Sequence, residues 1–200
     1  WWTCENIRRT TWWRFLLMGT KQHILFATPL WQITKLLPSG AYDWALEYQK
    51  KHNSVVLSNR KGYQSPSKKW DEFVYKDYIE KSLLETIPGF NRFEITNWWM
   101  NINERGHYNV THTHPNLDLA GIWYITDNDS ELYFDDPLMT TRANLYERIL
   151  EPLMGETTSK YLTCNAGDIL VFPADVPHRV EEHIKDTKRI SVSFNIRKKY

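Results

Sequence analysis

The residues most able to do chemistry lie in the second half of the chain. Asn109-Val110-Thr111-His112-Thr113-His114-Pro115 holds two histidines two residues apart. On extended backbone such residues point to the same side, so His112 and His114 can aim two imidazoles at one point. Neutral imidazole is the commonest metal ligand and suits Fe, Zn and Cu. A lone His-x-His also fits an ordinary surface or core pair, so the flanking segments must decide. Ala166-Gly167-Asp168-Ile169-Leu170-Val171-Phe172-Pro173 reads as a turn, a buried strand and a proline stop, and Pro177-His178-Arg179-Val180 follows. Arg189-Ile190-Ser191 begins 11 residues after His178, with Arg189 and Ser191 on one face of a strand. A guanidinium inside a β-barrel needs a compensating anion, because an unpaired buried charge is very costly. Its planar fork suits a carboxylate bidentately; an ordinary Arg–Asp or Arg–Glu pair is the alternative.

The elements that would position these groups are short strands. Phe93–Ile102, Leu119–Ile125, Glu131–Phe134, Tyr161–Cys164, Asp168–Phe172, Arg179–Glu182 and Arg189–Ile196 are rich in Val, Ile, Tyr, Phe and Trp, and turn residues separate most of them. This spacing indicates a sandwich or barrel. His-x-His followed by a lone His near a later strand resembles a cupin or double-stranded β-helix metal site. Upstream, Ile24–Leu37 reads as an edge strand because of Pro29. A helix capped by Ser39 runs to Lys50-Lys51-His52-Asn53, 59–69 is a loop, and a second helix covers Asp71 to Ile87 before Pro88-Gly89. The fold class is therefore mainly β (α+β), a jelly roll with N-terminal supporting helices. Residues 138–158 form a long insertion suited to a lid.

Composition narrows the function. A chain of 200 residues suits one domain, and a formal charge of +1 gives no electrostatic case for nucleic acid or an anionic membrane as partner. No apolar run approaches the roughly 20 residues of a membrane span. Two cysteines, Cys4 and Cys164, make no disulfide framework and suit a reducing cytoplasm. Residues 1–17 lack periodicity and read as a non-native or disordered extension, with Met18 as native start and 18–200 as one catalytic domain. Ten Trp and eleven Tyr suggest a pocket built from large rings, with Trp98, Trp99 and Trp123 as candidates.

The set His-x-His, a His 66 residues after His112, then Arg-x-Ser is similar to the Fe(II)/2-oxoglutarate-dependent oxygenase superfamily. More narrowly, the chain resembles a 2OG-Fe(II) oxygenase family of marine phages and bacteria. Ser58–Ser65, Trp99–Asn103, His112–Pro115, Ala120–Tyr124 and Leu132–Pro137 carry the likeness with the two C-terminal motifs. The resemblance implies a dioxygenase that hydroxylates a small-molecule or peptide substrate while 2-oxoglutarate is decarboxylated to succinate, with Fe(II) and O2. It implies that His112 and His178 ligate iron and that Arg189 and Ser191 hold the distal carboxylate of 2-oxoglutarate. Tyr124 either adds a hydroxyl to that carboxylate or packs in the barrel. The superfamily's usual His-x-Asp/Glu is His-x-His here. His114 is the preferred third ligand; Asp118, or a water or halide, is the alternative. His107 and His183 read as solvated, and His23 and His52 lie outside the β half. A host cytoplasm follows if the chain is phage-encoded. A prolyl hydroxylase, a cupin-like metal protein without an oxoacid, and a non-catalytic β-sandwich module are the rival readings.

Overall fold

The computed structural model describes residues 27–127, 131–154 and 158–200; the suspected extension 1–17 and His23 lie outside them. Seven strands form one antiparallel sheet in the order β1-β10-β7-β12-β5-β3, with β4 also on β5. They are β1 (Trp31–Ile33), β3 (Tyr63–Gln64), β4 (Lys68–Lys69), β5 (Phe93–Asn103), β7 (Leu119–Tyr124), β10 (Ile169–Pro173) and β12 (Arg189–Lys198). A second sheet runs β2-β6-β11-β8-β9, from β2 (Asn59–Arg60), β6 (Tyr108–His112), β8 (Leu132–Asp135), β9 (Ser159–Leu162) and β11 (His178–Val180). The two sheets make a double-stranded β-helix, a jelly roll, as the strand pattern predicts.

Strand β12 explains how the sheets divide the core. Its even positions Ile190, Val192, Phe194 and Ile196 pack with Ala41 and Ala45 of α1 (Ala41–Lys51) and Ile79 and Leu83 of α2 (Lys76–Thr86). Its odd positions Arg189, Ser191 and Ser193 face the other sheet and line a cavity. The two helices thus brace the outer face of the large sheet. A smaller apolar cluster that includes Ile122, Leu132, Phe134, Leu170 and Phe172 fills the space between sheets.

Two bulges set the phase of the strands that matter. Opposite Asn195 and Ile196, β5 offers Asn97 and Ile95, so Thr96 is an extra residue. It brings Ile95 and Trp98, three apart, into the same core. In β6 the register runs from His178↔His112 to Val180↔Asn109. The extra residue lets Asn109 and His112, also three apart, both line the cavity.

Several local expectations need correction. Helix α1 is entered through Gly40, whose φ of 80 is the left-handed conformation glycine favours, and Ser39 does not cap it. The predicted loop 59–69 contributes three two-residue strands that extend the sheets. Among the described residues of the expected opening strand, only Trp31–Ile33 pairs. The described part of the insertion 138–158 holds α3 (Met139–Leu145), a π-helical turn (Tyr146–Leu150) and α4 (Glu151–Met154). No helix among the described residues is long and apolar enough to cross a membrane.

Candidate metal centre

His178 opens β11 and His112 closes β6, and the register sets them side by side. Beyond β6 the His114 N–H donates to the Ala174 carbonyl at 2.8 Å, which carries His114 across to the end of β10. The three rings converge, with centroids 4.3 Å apart for His112–His178, 5.2 Å for His114–His178 and 5.4 Å for His112–His114. One ring nitrogen from each lies within 4.8 Å of the others, which is the geometry of a three-donor metal site.

The other nitrogen of each ring is engaged. Nδ1 lies 2.9 Å from Val110 O in His112, 3.0 Å from Val176 O in His178 and 2.6 Å from Asn195 Oδ1 in His114. Each of those atoms is an acceptor, so each Nδ1 carries the proton and each Nε2 keeps its lone pair. Charge on the rings is disfavoured as well. Burial lowers the pKa of His112 and His114 from the ordinary imidazole value. Burial, then the neighbouring His112, pushes His178 down to about 3. Neutral imidazoles with free, convergent lone pairs are what a divalent transition metal requires.

A narrow cavity, partly open to solvent, is lined by all three histidines together with Arg189 and Ser191. Arg189 is 2% exposed, and its guanidinium reaches Ser191 Oγ at 3.3 Å and Tyr124 OH at 3.5 Å. Tyr124 is fully buried and lies behind the guanidinium instead of lining the cavity. Burial raises its phenol above the ordinary tyrosine value, so it stays a neutral hydroxyl.

Asp118 is not part of this cluster. It is exposed, and its Oδ2 accepts from the Lys198 backbone N–H at 2.7 Å. His183, expected to be solvated, is buried and bonded to Thr187; His107 is half-buried, with Nδ1 accepting from the Glu104 N–H. Of the three tryptophans, Trp98 and Trp123 belong to the helix-side core and Trp99 lines the cavity, stacked on His114 at 5.5 Å.

Sequence reasoning did not find Asn195 or Asn101. Asn101 donates to Ser193 Oγ at 3.1 Å while its buried Oδ1, on the cavity wall, has no partner among the described residues. The signal for Asn195 was present: Arg189, Ser191, Ser193 and Asn195 are the polar half of a strict alternation.

Two antiparallel sheets closing over convergent imidazoles, with a buried guanidinium on the facing strand, define a double-stranded β-helix with a three-histidine metal-site geometry. Residues 97–195, which hold every residue of that constellation, match the family described as "Putative 2OG-Fe(II) oxygenase". The chain belongs to the 2OG-Fe(II) oxygenases and is an oxidoreductase of that class. Among solved structures it is similar to HygX from Streptomyces hygroscopicus with nickel and 2-oxoglutarate bound, with TM-score 0.62 and 13% identity over 86% of this chain and 84% of that one. It is also similar to a Pseudomonas putida prolyl-4-hydroxylase, with TM-score 0.58 and 12% identity over 86% and 94%. A prolyl hydroxylase from Trichoplax adhaerens, in complex with a hypoxia inducible factor peptide fragment, gives 0.54 and 13% over 84% and 83%. At these identities the likeness is one of fold. No curated protein matches the sequence.

Proposed function

We propose that the protein hydroxylates a small-molecule or peptide substrate, with His112, His114 and His178 holding Fe(II) and Arg189 and Ser191 holding the distal carboxylate of 2-oxoglutarate. The observation that carries this reading is the set of three Nε2 lone pairs, each freed by a carbonyl acceptor on Nδ1, in one cavity with a buried guanidinium. When bound, the iron and the oxoacid supply the oxidising chemistry: O2 is consumed, 2-oxoglutarate leaves as succinate and CO2, and one oxygen atom enters the substrate C–H bond.

The chain's own residues bind, orient and shield. The imidazoles offer three neutral donors, leaving the charge of the metal to be balanced by the anionic co-substrate. Arg189 gives a planar, permanently charged fork, with Ser191 beside it and Tyr124 steering the guanidinium from behind. The Asn101 amide, which can present either its oxygen or its nitrogen to the cavity, adds a polar contact on the same wall. Ile122, Leu132, Phe172 and Val180 make the apolar part of the lining and limit water. HygX has a structure with hygromycin B bound, and the Trichoplax enzyme one with a peptide; both support a guest of either kind here.

Anaerobic titration of the protein with Fe(II) and 2-oxoglutarate tests the reading. The expected result is the weak visible charge-transfer band of an iron–oxoacid chelate, abolished in His112→Ala and His178→Ala. Metal-loaded wild type without the band would overturn it.

A further inference from the structure

Of the three histidines, two are oriented by the backbone just before them and one is not. His112 and His178 each bond the backbone carbonyl two residues earlier. His114 instead depends on the Asn195 side chain of β12, 81 residues away. We propose that Asn195 is a positioning residue that makes His114 the third metal donor, and that it does so as a neutral acceptor. The proposal rests on the metal reading of the triad.

The case is built from the polar chain behind the ring. Asn195 Oδ1 accepts from His114 Nδ1 at 2.6 Å, while Asn195 Nδ2 donates to Asn97 Oδ1 at 3.1 Å. Asn97 is held in turn by Thr96 Oγ1, which donates to the same Oδ1 at 2.8 Å, and by Ser67 Oγ, which accepts from Nδ2 at 2.7 Å. In this arrangement the Asn195 oxygen, not its nitrogen, faces the imidazole. Reversing the Asn195 amide would set N–H against Nδ1 and force the proton of His114 onto Nε2, where it would block coordination. Trp99 stacks against the ring. With the amide oxygen on Nδ1 the Nε2 lone pair is left for a metal, and the amide and indole together hold the ring plane.

The neutrality of the acceptor has its own consequence. Metal-bound histidines are commonly backed by a carboxylate, which raises their basicity. Here the acceptors are two backbone carbonyls and one amide. The donor set carries no charge, in first contact or behind it.

Cobalt(II) titration of the purified protein, followed by visible absorption, tests this without turnover. Asn195→Ala should bind Co(II) roughly 10–100-fold more weakly, the usual effect of losing such a partner, with shifted d–d bands. Asn195→Asp restores an acceptor, because Asn97 can reverse its amide against the two hydroxyls; its affinity should return to wild type or exceed it. A group that only braces β12 against β5 would lower the unfolding midpoint of the metal-free protein without changing the bands. Wild-type affinity and spectrum in Asn195→Ala overturn the proposal, as does an Asn195→Asp protein that binds no better than Asn195→Ala. Should Asn195→Ala fail to fold, Asn195→Asp decides alone: a carboxylate on Nδ1 must move the Co(II) bands, and unmoved bands overturn the role. A wild-type protein whose Co(II) spectrum ignores His112→Ala and His178→Ala overturns the triad itself, a separate and earlier failure.

Discussion

Removing the Arg189 guanidinium is the sharpest test of the co-substrate site. The group is 2% exposed, opens β12 and lines the cavity that the histidines share. An anion placed against it forms a desolvated charge pair, and truncating one partner of such a pair costs about 2–5 kcal/mol. At about 1.4 kcal/mol per decade, the lower end is roughly thirtyfold in the dissociation constant. Arg189→Met, which keeps most of the volume, should therefore weaken 2-oxoglutarate binding at least thirtyfold. Arg189→Lys keeps a charge and loses the fork, so it should fall between, at roughly tenfold. Ser191→Ala removes one hydrogen bond, worth about 0.5–1.5 kcal/mol. Tyr124→Phe acts through a long 3.5 Å contact and should cost the least. The assay is the charge-transfer band at fixed Fe(II) under anaerobic conditions, with a urea transition of each metal-free variant to separate binding from folding. An unchanged 2-oxoglutarate midpoint in Arg189→Met, in a folded protein, would refute the assignment, and a reversed ranking of Ser191 and Arg189 would refute the geometry behind it.

Three further outcomes are expected. His178 has a folded pKa near 3 against an ordinary 6.5, and His112 and His114 shift the same way; the unfolded chain then binds more protons below pH 6.5. Metal-free protein should lose stability as the pH falls from 6.5, by up to about 1.4 kcal/mol per pH unit per histidine, and urea transitions at pH 7 and 5 should differ less in His178→Gln. Asp118→Asn should leave Co(II) affinity as in wild type, since that carboxylate bonds the Lys198 N–H; a large loss by titration would return Asp118 to the metal site. Gly121→Ala would set a Cβ 2.1 Å from the buried Phe194 ring, and such overpacking should cost about 1–3 kcal/mol in thermal unfolding.

Much of this protein is written locally. The two-residue spacing of His112 and His114 marked them as a pair able to face one point. The alternation through Arg189-Ile190-Ser191-Val192-Ser193-Phe194-Asn195 marks a strand with one apolar face. Helix α2 falls within the span Asp71 to Ile87 that the sequence marked out, although it starts only at Lys76. What the local pattern left open was which face of β12 meets water. A polar face ordinarily points to solvent; here it points inward, because α1 and α2 cover the apolar face and the second sheet closes over the other. The strand that carries His112 escaped notice because its bulge breaks the period of two between Asn109 and His112. The sequence preferred His114 to Asp118 as third donor, and the crossing to Ala174 and the reach of Asn195 bring His114 into the cluster while Asp118 bonds the Lys198 N–H. Contacts 66 and 81 residues apart depend on sheet register and closure, which arise from the packing of the whole chain and leave no trace in any short window of it.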